Sequence, residues 1–154
     1  MRMDDELKGW VHAASDRPEV REAILAVYGK LEAEVAIQRP LCVLSGRCCR
    51  FDEFGHRLFV TTMELAVFLG DLPVKAWPAN PGGCPFQVGK ICGVHGIRPF
   101  GCRMFFCDAT STQWQREAYE KFHGEIKRLH ETHQVPYVYM EWREALRKLQ
   151  LINA

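Results

Sequence analysis

The chain has 154 residues, 47% hydrophobic and 25% charged, and twenty Lys and Arg against nineteen Asp and Glu leave a net charge of +1. That size and balance fit one globular domain with an ordinary core, and so small a net charge gives no pull toward nucleic acid or an anionic membrane. No apolar run approaches the ~18 residues of a membrane span, and the opening "MRMDDELKGW" has no apolar signal region, so the expected location is the cytosol.

In chain order, Leu7, Trp10, Val11 and Ala14 predict a short first helix. Val20, Ile24, Val27, Leu31 and Val35 recur at spacings of three and four and predict a second helix over 16–37, with Ser15 or Asp16 as cap and Pro18 in its first turn. "RLFV" at 57–60 reads as a short strand. Thr61 and Glu64 then form a capping-box pair that opens "MELAVFL", which Gly70 is expected to end. Between Asp71 and Asp108 lie five of the eight prolines, and no helical period survives there. Helical spacing resumes over 113–132 with Trp114, Ala118, Phe122, Ile126 and Leu129, and Thr112 with Gln115 resembles a further capping box. Pro136 is expected to start a last helix, about 137–151, with Trp142, Leu146 and Leu149 on one face.

The long middle carries the chemistry. All seven cysteines fall in it: Cys42, Cys48, Cys49, Cys84, Cys92, Cys102 and Cys107. In a reducing compartment, dense cysteine reads as metal binding or catalysis before disulfides. The odd count and the adjacent Cys48–Cys49 pair both argue against a closed disulfide set. The bland reading, a small buried hydrophobe, suits one or two of the seven. The spacing is C-x5-CC, then C-x7-C-x9-C-x4-C after a gap of 34 residues. Structural zinc modules typically use C-x2–4-C knuckles, and the looser Cys102/Cys107 pair is the one instance here. Widely separated thiolates arriving from different loops suit an iron–sulfur cluster, with 4Fe–4S favoured and zinc the alternative. Arg47, Arg50, Arg98 and Arg103 stand beside these cysteines, either as solvated surface residues or as cations that offset buried thiolate charge. Metal–thiolate bonds rather than packing are expected to shape this proline-punctuated segment.

"GRCCR", followed by "CPFQVGKICGVHGIRPFGCRMF", resembles the cysteine-rich zinc- or iron-chelating family, the CxxCxxCC or YkgJ-like proteins, which also includes flagellin lysine N-methylase. The resemblance covers 42–107. It implies Cys48, Cys49, Cys84, Cys92 and Cys102 as metal ligands, Arg98, Pro99 and Arg103 as the family's RPxxCR element, and Glu64 as an acidic residue between the two blocks. Ser45 stands where the family has a cysteine, which puts Cys42 in doubt as a ligand and makes Cys107 a candidate substitute. His95 replaces the family's tyrosine and is either a ligand or a space-filling ring.

His123, His130 and His133 read as a solvated helix face before a second metal site, and no phosphate loop, dinucleotide fingerprint, metalloprotease helix, methyl-donor-binding βαβ unit or CxxxCxxC radical motif is present. The sequence thus predicts a mainly α, single metal-binding domain over 1–154. Helices at 1–37 and 112–151 frame an irregular centre, 42–107, organised by a cysteine metal site, with Arg98 and Arg103 beside the cofactor. Three functions follow: an iron–sulfur protein in redox or modification chemistry, a structural zinc module that binds a partner, and a methylase-related enzyme. The partner, protein or small molecule, is not specified.

Overall fold

A computed structural model describes residues 2–38, 57–72, 83–88, 91–104 and 112–151. In chain order these form α1 (Arg2–Ser15), α2 (Pro18–Gln38), β1 (Phe59–Thr61), α3 (Thr62–Asp71), β2 (Gln87–Val88), β3 (Ile91–Cys92), a 3-10 turn (His95–Ile97), α4 (Phe100–Met104), α5 (Thr112–His133), β4 (Tyr139–Glu141) and α6 (Trp142–Lys148). The fold is mainly helical. Among the described residues, no helix is long and apolar enough to cross a membrane.

The helices follow the apolar spacing. Leu7, Val11 and Ala14 bury one face of α1, which packs chiefly on α3. Pro18 is the first residue of α2, where its missing N–H costs no hydrogen bond. Val20, Ile24, Val27 and Leu31 then line the buried face of α2, with Val35 partly buried against the same core. In α5, Ala118, Phe122 and Ile126 form a stripe four residues apart, and His130 takes its next place, 2% exposed. The predicted solvated histidine face is therefore not what forms. Nδ1–H of His130 donates to the Ile126 carbonyl at 2.8 Å, so its Nε2 accepts from the Met63 amide at 3.1 Å, in the first turn of α3. His123 lies half-buried between the rings of Tyr119 and Tyr139, with Nε2 3.0 Å from the Tyr137 hydroxyl.

Two other expectations are corrected. Gly70 does not end α3, which continues to Asp71, whose carboxylate pairs with Arg21 at 3.1 Å. Pro136 does not open a helix. The segment after it is extended, because "VPYVY" is rich in β-branched and aromatic side chains that favour a pleated strand. Its strand β4 pairs antiparallel with β1, with Phe59 opposite Glu141, Val60 opposite Met140 and Thr61 opposite Tyr139. The Val138 amide donates to the Thr62 hydroxyl and the Trp142 amide to the Leu58 carbonyl. The last helix then starts only at Trp142, capped by the Glu141 carboxylate, which accepts from the Arg143 amide at 2.6 Å.

From Asp71 to Asp108 the chain was expected to be irregular. In fact β2 and β3 form a small antiparallel pair, with Gln87 opposite Cys92 and Val88 opposite Ile91, and α4 supplies a short helix. These pieces pack onto the helical frame. Phe86 is fully buried against Phe68 and Trp142, at ring-centroid distances of 5.2 and 6.0 Å, and Phe100, Val94 and Met104 join the same core. Where the centre is described, apolar burial contributes to its shape, beyond what metal bonds alone were expected to supply.

Burial pushes His130 below its ordinary value of 6.5, against the pull of the Ile126 carbonyl, and the charge His123 carries when protonated acts in the same direction as burial. A histidine held neutral in the fold binds fewer protons than its unfolded counterpart, so stability is full above 6.5 and falls as pH drops below it. The urea midpoint should decline between pH 7 and 5. His130→Gln, which keeps an acceptor for Met63 and a donor for Ile126, should flatten that decline, leaving the part due to His123. An equally steep decline in the variant would contradict the neutral-histidine cap.

Candidate metal centre

Three of the seven cysteines, Cys84, Cys92 and Cys102, lie among the described residues, and none of the three is in a disulfide. Cys42, Cys48, Cys49 and Cys107 lie outside them, as do Ser45, Arg47 and Arg50. Backbone pairing brings the Cys84 turn and Cys92 to the same end of one strand pair. The Gln87 amide donates to the Cys84 carbonyl at 3.2 Å, which makes a turn through Pro85 and Phe86 at the mouth of the β2–β3 pair. Cys92 sits opposite Gln87 at the same mouth, and the Gly93 amide closes it on the Phe86 carbonyl at 2.7 Å. The 3-10 turn then leads through Pro99 into α4, which carries Cys102 as its third residue. His95 opens that turn; its ring is outside the described side chains.

α4 is held from below by a carboxylate. Glu64 is 2% exposed and accepts four hydrogen bonds. Its Oε2 takes the Thr61 amide at 3.0 Å and the Thr61 hydroxyl at 2.9 Å, completing the predicted capping box. Its Oε1 takes the Phe100 amide at 2.7 Å and the Tyr28 hydroxyl at 3.4 Å. The first amide of the Cys102-bearing helix is thus capped by a residue 36 positions earlier. Burial raises the Glu64 carboxyl above 4.5, while the amides of Phe100 and Thr61 and the two hydroxyls pull it down. Burial, and then the Glu64 charge, push the Tyr28 phenol well above its ordinary value, so it stays a donor.

Arg103 braces the loop from the other side. It is 8% exposed, with its guanidinium 4.3 Å over the Tyr28 ring. Nε donates to the Arg98 carbonyl at 2.7 Å and Nη2 to the Gly96 carbonyl at 3.2 Å, while Nη1 meets Glu32 of α2 at 2.6 Å. A planar fork reaches three oxygens from three separate nitrogens in fixed directions, whereas a lysine's three donors all leave one nitrogen. Of the two arginines predicted beside the cofactor, Arg103 therefore positions the loop that leads to Cys102, and Arg98 contributes its carbonyl to the same brace. Gly101 lies so close to β1 that a Cβ there would collide with Leu58 Cδ1. The Leu58 side chain, at its flexible end, would have to turn aside to admit one.

Cys84 is 3% exposed, and its sulfur accepts from the indole N–H of Trp142 at 3.4 Å. Sequence reasoning placed Trp142 only on a core face, and a contact across 58 positions leaves no local pattern that would have shown more. Glu32 and Tyr28 were missed for the same reason. Among the described residues, no group of three His, Cys, Asp or Glu side chains converges as a metal site. Compared with known proteins, the chain matches no family model, no curated protein and no solved structure.

Glu64→Gln exchanges one acceptor oxygen for an amide NH2, itself a donor, that must face two buried donors. Unmet buried donors cost about 1–3 kcal/mol, more around a charge. The variant should lose about 2–3 kcal/mol in urea unfolding; a loss below ~0.5 kcal/mol would show that the carboxylate is not needed at this junction.

Proposed function

We propose that this chain is a cytosolic metal-binding protein in which Cys48, Cys49, Cys84, Cys92 and Cys102, with Cys107 in place of the cysteine absent at Ser45, supply thiolates to an iron–sulfur cluster, 4Fe–4S in type. The reading is supported by the resemblance of "GRCCR" and "CPFQVGKICGVHGIRPFGCRMF" to the cysteine-rich chelating family. The observation that carries it is the setting of Cys84: a buried sulfur, outside any disulfide, with an N–H donor aimed at it. Thiolate ligands are held in this way by hydrogen bonds to sulfur. In support, Cys84 and Cys92 sit at one mouth of the strand pair and Cys102 on the short helix that follows, whose loop and first turn are held by Arg103 and Glu64; the described cysteines do not by themselves form a ligand group, so the reading draws on the remaining cysteines as well.

A cluster held there supplies one-electron chemistry, or a Lewis-acidic iron, in a redox or modification reaction. The chain's own part is to set ligand positions before the metal arrives. Glu64 and Arg103 fix the helix and loop around Cys102, and Phe86 anchors the strand pair around Cys84 and Cys92. Apart from the looser Cys102/Cys107 pair, no two cysteines stand at the C-x2–4-C knuckle spacing, which favours iron–sulfur over zinc.

Protein purified without oxygen should be brown and contain about four iron and four sulfide per chain. Cys84→Ser, Cys92→Ser and Cys102→Ser should each lose the metal and several kcal/mol of stability. Colourless protein carrying only zinc would overturn the cluster, and metal retained in all three variants would overturn the ligand set.

A further inference from the structure

Trp142 has no freedom to choose its hydrogen-bond partner. It is the first residue of α6, its amide is tied to the Leu58 carbonyl at 2.8 Å, and its side chain is 1% exposed. Phe68 meets its ring edge-on at a centroid distance of 4.9 Å and an interplanar angle of 81°, and Phe86 lies 6.0 Å away. The indole N–H is thereby locked toward the Cys84 sulfur. A buried indole N–H almost always has a partner, yet a neutral thiol is a weak acceptor. The pairing gains real strength only when the sulfur is charged, because a bond to an ionised partner is about twice as strong as a neutral one.

We infer that Trp142 is a positioning residue for the metal site, its indole N–H orienting the Cys84 thiolate and offsetting its charge when metal is bound. The inference rests on Cys84 being a ligand, as proposed above. Two physical consequences follow. The donor keeps Cys84 in one rotamer, so the thiolate meets the metal without reorganising. It also withdraws charge from the sulfur, which stabilises the more negative, reduced state of a redox metal. Through Trp142 the C-terminal part of the chain, β4 and α6, becomes part of the site, although no cysteine lies there.

The experiment compares anaerobically purified wild type with Trp142→3-benzothienylalanine, which keeps the two-ring shape and replaces N–H by sulfur. Trp142→Phe serves as a second variant, and Phe68→Leu as a packing control in the same aromatic cluster. Metal content is followed against increasing chelator, together with the sulfur-to-metal absorption. The benzothienyl variant should give up its metal at ~10–100-fold lower chelator, the range typical for loss of a partner to a ligand. Its absorption should shift, and Trp142→Phe should behave alike. Phe68→Leu should lower thermal stability without moving the absorption. An unchanged chelator titration and absorption in the benzothienyl variant would overturn the role of Trp142 while leaving Cys84 as a ligand. A metal-free wild type would overturn both.

Discussion

A buried carboxylate with four donors is the junction on which the arrangement turns. Glu64 leaves α3 in its first turn, yet it satisfies groups on α2, β1 and α4 together. An anion taken out of water costs far more than any one hydrogen bond returns, so such a residue persists only where several donors converge on it. That convergence is what makes it directional. The four donors come from three different elements, two of them from Thr61, so the carboxylate sets the elements' relative positions as well as satisfying them. Glu64 thereby turns the start of α3 into a platform for the helix that carries Cys102.

Arg103 completes the platform. It stacks on Tyr28, whose hydroxyl is bound to Glu64, and it spans the carbonyls that precede α4. Anion, phenol and guanidinium form one connected set between α2 and the cysteine block. Its members are well desolvated, except that Glu32, which closes the set, is largely exposed, with 62% of its side chain in solvent. Screening at that outer end makes the Arg103–Glu32 pair the weakest link. The inner contacts, to the two carbonyls and to the tyrosine ring, carry the geometry. On the opposite side of the block, Phe86 and Trp142 fill the core and bring the one polar edge of that aromatic cluster to Cys84.

The helical frame was legible because its signal is local. Val20 to Val35 and Trp114 to Leu129 repeat at the helical period, and Thr61 with Glu64 reads as a capping box because its two partners are three residues apart. The extended 136–141 segment was misread because Pro136 can open a helix and Trp142, Leu146 and Leu149 share a helical face just beyond it; only pairing with β1, some 80 positions away, makes it a strand. The burial of His130 was missed because a histidine at the end of an apolar stripe looks the same as one facing water until its partner on α3 is known. Of the candidate site, Cys84, Cys92, Cys102, Arg98 and Arg103 were legible as a block from the motif. How they are held was not, since Glu64 to Phe100, Arg103 to Glu32 and Trp142 to Cys84 each cross at least 36 positions. Cys42, Cys48, Cys49 and Cys107 are outside the described residues.

If the carboxylate junction positions the Cys102-bearing helix by itself, that helix keeps its place without metal. Amide hydrogen exchange at Phe100, in protein stripped of metal by chelator and kept reduced, tests this most directly. The account predicts protection approaching that of core amides in α5, such as Ile126. A Phe100 amide exchanging as fast as an unfolded one, while Ile126 stays protected, would contradict it.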